Sequence, residues 1–277
     1  SRNARPVRGR SEWRLRDYVT EITRGGFPGM RRLPGRALNR QLDSYIDRIV
    51  DHDLIEVGVR RPEAVRTSLR AYAAATGTTA TWETIRDATT PGVADKPARA
   101  TAQMYRETLI LMRVLDPMDG WLPTNNQSTS TTSAPKHYLC EPALAARLVR
   151  LSASRLIDGA EPDVTIPRDG TFLGALFESL VALSVRTLAQ LYDGRVYHLR
   201  TRGGRREVDY IVETDEGVVG IEAKLASHIN DDDTSHLLWL RERLREDCID
   251  LMVVNAGPQA FRTRQGVAVV PLALLGP

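Results

Sequence analysis

The sequence predicts a mixed α+β protein, helical through about residue 157 and α/β beyond it. Three observations carry this prediction. Residues 1–150 hold 24 basic and 16 acidic side chains and residues 151–277 hold 14 and 19, although the whole chain is only +3, so the two halves have different electrostatic characters. Apolar residues recur at helical spacing through the first half. After residue 171 the pattern reads helix, strand, strand, strand, helix, strand, which a mixed sheet closes economically. With 277 residues, 42% of them hydrophobic, the chain buries ordinary cores and has the length of two domains. Disorder, collagen and disulfide scaffolds are excluded.

In chain order, residues 13–58 read as helices broken at Gly25-Gly26-Phe27-Pro28-Gly29, which continues neither a helix nor a central strand. The second helix carries Leu42, Tyr45, Ile46 and Ile49 on one face. Three short helices follow, at about 63–75, 82–88 and 97–113, the last with Ala102, Tyr105, Leu109 and Met112 on its apolar face. Arg99, Gln103 and Arg106 share the opposite face and are candidate nucleic-acid contacts. A polar loop, Pro123–Pro135, separates this helix from a strand expected over Lys136–Cys140, and three helices with a flanked loop make a winged helix. Ala143–Leu151 reads as helix and Asp158–Gly170, with two prolines and two glycines, as linker. The expected partition is a helical connector at 1–60, a winged helix at 61–157 and an α-β-β-β-α-β domain at 158–277.

Cys140 and Cys248 stand 108 positions apart, without metal-ligand spacing, and read as reduced thiols. No apolar run is expected to reach membrane length and the N-terminus lacks a signal peptide's apolar stretch, so the expectation is a cytoplasmic protein with no membrane partner. Only three of the 38 basic residues are lysines, which singles out Lys96, Lys136 and Lys224.

The chemistry concentrates in the second half. If Glu213 pairs with Val218 across a hairpin, Asp209 falls opposite Glu222 and Glu207 opposite Lys224, all four on one face. Opposed carboxylates repel unless a cation lies between them, and Mg²⁺ or Mn²⁺ takes such a pair together with waters. Asp209 and Glu222 are therefore the expected metal ligands. Lys224 positions water or stabilises charge, and Glu178 on the preceding helix supports them. Arg200 and Arg202 border the site as candidate phosphate clamps.

These residues resemble a known family. Asp209 followed by Glu222-Ala223-Lys224, with Leu176-Phe177-Glu178 upstream, is similar to the PD-(D/E)XK nuclease superfamily core. Phe172–Glu178, Arg200–Asp209 and Ile221–Lys224 resemble the DUF4143 domain at the C-terminus of bacterial and archaeal AAA+ ATPases. Gly25–Pro28, Tyr45–Asp53 and Ala134–Tyr138 extend the resemblance from about Trp13 to the end. It implies a restriction-endonuclease-like domain and a parent ATPase module as partner. The chain has no Gly-Lys-Ser/Thr phosphate loop and begins at Ser1, so it is expected to be a C-terminal fragment, with ATP used only by the parent. The leading functional expectation is Mg²⁺-dependent phosphodiester hydrolysis of nucleic acid. The alternative is a non-catalytic DNA-binding or protein-docking module that directs the ATPase. Oligomeric state stays open.

Overall fold

The computed structural model describes residues 6–56, 58–59, 61–89, 98–122 and 134–276. Most of the expected polar loop, 123–133, lies outside them, as does Pro97. The chain begins with strand β1 (Gly9–Arg10) and helix α1 (Leu15–Arg24). Gly25 stops α1 at φ +73°, a left-handed conformation that costs least without a Cβ. Helix α2 (Gly35–Arg48) passes through a π-helical turn, Ile49–Asp53, into the short α3 (Leu54–Glu56). Helix α4 (Pro62–Ala74) starts on a proline, where the missing N–H would have had no helical partner anyway. Helix α5 (Trp82–Ala88) is capped by Thr81, whose hydroxyl accepts from the Thr84 N–H at 3.2 Å. Helices α6 (Arg99–Leu111), α7 (Pro142–Leu148), α8 (Ala153–Ile157) and α9 (Phe172–Gln190) follow. Strands β2 (Arg195–Arg200), β3 (Glu207–Thr214) and β4 (Gly217–Lys224) precede helix α10 (Ser235–Leu244). Strands β5 (Cys248–Asn255), β6 (Gln259–Arg262) and β7 (Ala268–Pro271) end the fold.

The described residues form two compact units that interleave along the chain. A helical unit comprises Val19–Pro117 and Lys136–Ser179, and a sheet unit comprises Ser1–Tyr18, Met118–Pro135 and Leu180–Pro277. The expected partition at 60/61 and 157/158 follows chain order, and the units cut across it.

In the helical unit, Val65, Leu69, Tyr72, Ile85, Tyr105, Leu109 and Leu144 are buried, the apolar faces that the periodicity predicts. The segment at 137–140 is bonded on two sides. His137 exchanges backbone bonds with Gly77 and Thr78, both at 2.9 Å, while Asp116 donates to Tyr138 at 2.9 Å and Cys140 donates to Val114 at 3.0 Å. The expected strand Lys136–Cys140 is corrected, because the segment pairs through isolated bridges, such as Leu115 to Leu139, and not as a continuous ladder. The expected linker is also corrected. Ile166 is buried, Glu161 accepts from the Phe172 N–H at 2.9 Å and Arg168 donates to the Ala74 carbonyl, so 158–170 is packed chain.

In the sheet unit, seven strands stand in the order β1-β6-β7-β5-β4-β3-β2. Strands β4 and β5 are parallel neighbours joined through α10, and β3 runs antiparallel to β4. Leu237, Leu240 and Leu244 of α10 close a core with Val208, Ile211, Val218, Leu251 and Val253. Strands β1 and β6 were not predicted; they are two and four residues long, below the length at which alternation is legible.

Helix α9 corrects the membrane-length reading. Its 19 residues carry only Glu178 and Arg186 as charges, and among the described residues it is the one helix long and apolar enough to cross a membrane. Phe172, Leu176, Phe177, Val181 and Val185 are buried within the fold, as they are in a core helix.

Candidate functional site

The β3–β4 hairpin keeps the predicted register. Glu213 pairs with Val218 and Tyr210 with Ile221, but Thr214 also pairs with Gly217, so the loop is Asp215-Glu216 and not the four residues expected. Gly217 makes this turn possible at φ +135°, where a Cβ would stand 2.5 Å from the Asp247 carbonyl oxygen. The ladder closes at Tyr210–Ile221, one step short of the Asp209–Glu222 position.

A bulge against β2 lies at that stop. On β2, Tyr197 pairs with Ile211 and Leu199 with Val208, so Asp209 and Tyr210 together oppose the single residue His198. An extra residue of this kind unpairs the ladder and turns the strand. Strict alternation from Glu207 is thereby corrected, since Val208 and Ile211 both enter the core under α10. Asp209, 8% exposed, uses its Oδ2 to accept the Ala223 N–H at 2.9 Å, a side-chain acceptor where a continued ladder would supply a backbone carbonyl.

Glu222 is 5% exposed on the adjacent strand. Lys224, two residues on and on the same face, places Nζ 3.7 Å from Glu222 Oε2 with about a third of its side chain exposed. The expected opposition of Glu207 and Lys224 is corrected: Glu207 is the register partner of Arg200 across β2, and Arg200 Nη1 lies 3.2 Å from its Oε2. Arg200 is thus engaged with a carboxylate, while Arg202 is exposed in the turn beyond β2.

Sequence reasoning missed Asn255. It is the register neighbour of Lys224 on β5 and 2% exposed, and its Oδ1 has no hydrogen-bond partner. An amide closing the apolar run Leu251–Val254 was the available signal.

Glu178 belongs to the helical unit. Its Oε1 lies 2.9 Å from Lys136 Nζ and accepts the Tyr138 hydroxyl, and Lys136 is 2% exposed. A buried ammonium requires such a partner. Lys136 and Tyr138 were also missed as members of a cluster, although the rarity of lysine marked the first.

Arg99, Gln103 and Arg106 share a face of α6 as predicted. Arg99 stands 4.9 Å from the Trp82 ring centre and 3.2 Å from Glu83, and Gln103 donates to Glu107 at 2.8 Å. Both thiols are shielded, Cys140 pushed up to about 12 and Cys248 to about 11, in each case mainly by burial. Neither suits nucleophilic chemistry.

Among the described residues no three His, Cys, Asp or Glu side chains gather where they could hold a metal ion. The donor set of the sheet unit is two buried carboxylates on adjacent strands. That set suits Mg²⁺ or Mn²⁺, which keep waters in their shells, and does not suit a closed zinc site.

Comparison with known families divides the chain in two. Residues 173–275 match a domain of unknown function, DUF4143, which is common in AAA-ATPase-associated proteins. The DUF4143 match does not reach back to Trp13: ahead of it a separate model, a domain of unknown function designated DUF8612, matches residues 15–155. No curated protein matches the sequence. The second model spans 141 of the 277 residues, more than half, and the chain belongs to the DUF8612 family, with a DUF4143 domain following it.

Proposed function

We propose that the sheet unit is a PD-(D/E)XK-like site for metal-dependent phosphodiester hydrolysis of nucleic acid. The observation that carries this reading is the trio Asp209, Glu222 and Lys224: two buried carboxylates on the adjacent strands β3 and β4, with a partly exposed ammonium 3.7 Å from one of them. Burial of two acids on neighbouring strands is costly unless a cation is held there, and the bulge at Asp209 is the kind of irregularity that re-aims a side chain at a functional site. Asp209 and Glu222 would hold Mg²⁺ or Mn²⁺, which when bound supplies Lewis acidity toward a phosphate oxygen. The Ala223 N–H fixes the Asp209 carboxylate. Glu222 holds Lys224 near the end of β4, where its compact ammonium orients the attacking water or neutralises charge on a non-bridging oxygen. Asn255, beside Lys224, offers an amide for the same substrate.

In the helical unit, the order α4, Gly77–Thr78, α5, α6, then the bonded segments around Leu115 and Leu139 supports a winged helix. On this reading the DUF8612 part guides the sheet unit to nucleic acid or to a parent AAA+ module.

Thermal melting with Mn²⁺ tests the metal site. A ligand at ~100 times its Kd adds ~2.7 kcal/mol to the native state, so the parent should melt higher in millimolar Mn²⁺ and Asp209→Ala should lose the shift. Identical melting curves with and without Mn²⁺ would reject the reading.

A further inference from the structure

A second constellation lies wholly within the helical unit. Helices α4, α5 and α6 surround a cavity of about 130 Å³ whose wall includes Arg86, Arg99 and Arg106 together with Trp82 and Tyr72. On the same measure a single water needs ~10–15 Å³, so a group of several heavy atoms fits. Among the described residues no carboxylate lines the cavity. Glu83 and Asp87 engage one Nη atom each of Arg99 and Arg86, at 3.2 and 3.3 Å.

Two of the lining arginines carry an unsatisfied donor: Arg86 Nε and Arg106 Nε are buried without a hydrogen-bond partner. Buried N–H groups are nearly always satisfied by protein, water or ligand, and three like charges around one small space repel unless a counter-charge enters it. The Trp82 ring holds two of the guanidiniums in place, Arg86 at 5.0 Å and Arg99 at 4.9 Å from its centre, a fixed geometry that cation–π contact favours. With those two guanidiniums at its ring, Trp82 is not a free platform for a base. Planar guanidinium forks match tetrahedral oxyanions bidentately.

We propose that this cavity is a binding site for a phosphate group, received from Arg86, Arg99 and Arg106 as a compact anion and not as a stretch of duplex read along a groove. The site is independent of the metal chemistry of the sheet unit.

Isothermal titration of the full chain with inorganic phosphate tests the proposal, at constant ionic strength and with EDTA present so that the metal site plays no part. One saturable site with a Kd of about 1 mM or tighter is expected, a modest affinity for so small a ligand. Arg106→Gln should weaken it at least tenfold. Ala102→Leu, which fills the same cavity from α6 without removing charge, should do likewise while circular dichroism stays unchanged. Adenosine 5′-monophosphate separates the sources: at least tenfold tighter binding than phosphate at the same site assigns the group to a nucleotide, and equal or weaker binding assigns it to free phosphate. Absence of saturable heat for both ligands up to ~10 mM, or equal affinity in parent and both variants, overturns the proposal. So does binding of a short DNA duplex that neither ligand displaces.

Discussion

At the scale of single residues, the two clusters around carboxylates make opposite demands on their lysines. Lys224 is partly exposed beside Glu222, and in the proposed reaction Lys224→Arg should keep the Mn²⁺-dependent rise in melting temperature while cleavage falls by a factor of ~10² to 10³, the usual cost of losing a charge-stabilising donor. Equal cleavage by parent and variant would place the activity elsewhere. Lys136 is 2% exposed and held by Glu178, so Glu178→Gln leaves a buried charge with a weakened partner. Breaking such a pair costs ~3–5 kcal/mol, and urea titration should find a loss of that order, partly restored by adding Lys136→Met. Burial holds the His137 imidazole below its ordinary range, so in acid the unfolded chain takes up the proton first and stability falls as pH drops through about 6.5. His137→Gln should show a shallower loss between pH 7 and 5 than the parent. What was legible at this scale was residue type and spacing: Asp209, Glu222 and Lys224 fall on neighbouring strands as their register predicts. What was not legible was partner choice. Glu207 faces Arg200 through the β2 register, and Arg99 turns to Trp82 and Glu83, because both outcomes depend on how neighbouring elements pack and not on spacing within one element.

At the scale of elements, the hairpin depends on two glycines for different reasons. Gly220 lies beneath α10, where a Cβ would stand 2.7 Å from Leu240 and 3.1 Å from Leu251, both about 1% exposed. Overpacking of that kind typically costs ~1–3 kcal/mol, and chemical denaturation of Gly220→Ala should show it. Gly217→Ala should cost at least as much, since the obstructing atom is the backbone oxygen of Asp247 at 2.5 Å and the positive φ adds strain. A Gly217→Ala variant as stable as the parent would show that the turn has another conformation open to it. Helices and long strands were readable because each repeats its period several times. The bulge at Asp209–Tyr210 was not, since one inserted residue in an eight-residue strand leaves too little alternation on either side to reveal a change of phase.

At the scale of the whole molecule, composition foretold two bodies but not their interleaving, because charge and periodicity are averages along the chain and say nothing of which distant segments meet. Strand β1 covers the edge of β6, and uncovered edges template association. A chain lacking residues 1–12 should melt lower and scatter more light on warming than the parent; unchanged melting and scattering would make the strand ornamental. The same pairing has a consequence for biosynthesis. Gly9 meets Ala260, so β1 leaves the ribosome about 250 codons ahead of its partner, a delay of ~12 to 50 s at ~5–20 residues per second. During that interval the helical unit has its entire sequence available while the sheet does not, so β1 emerges as an unpaired strand while the helices can already pack.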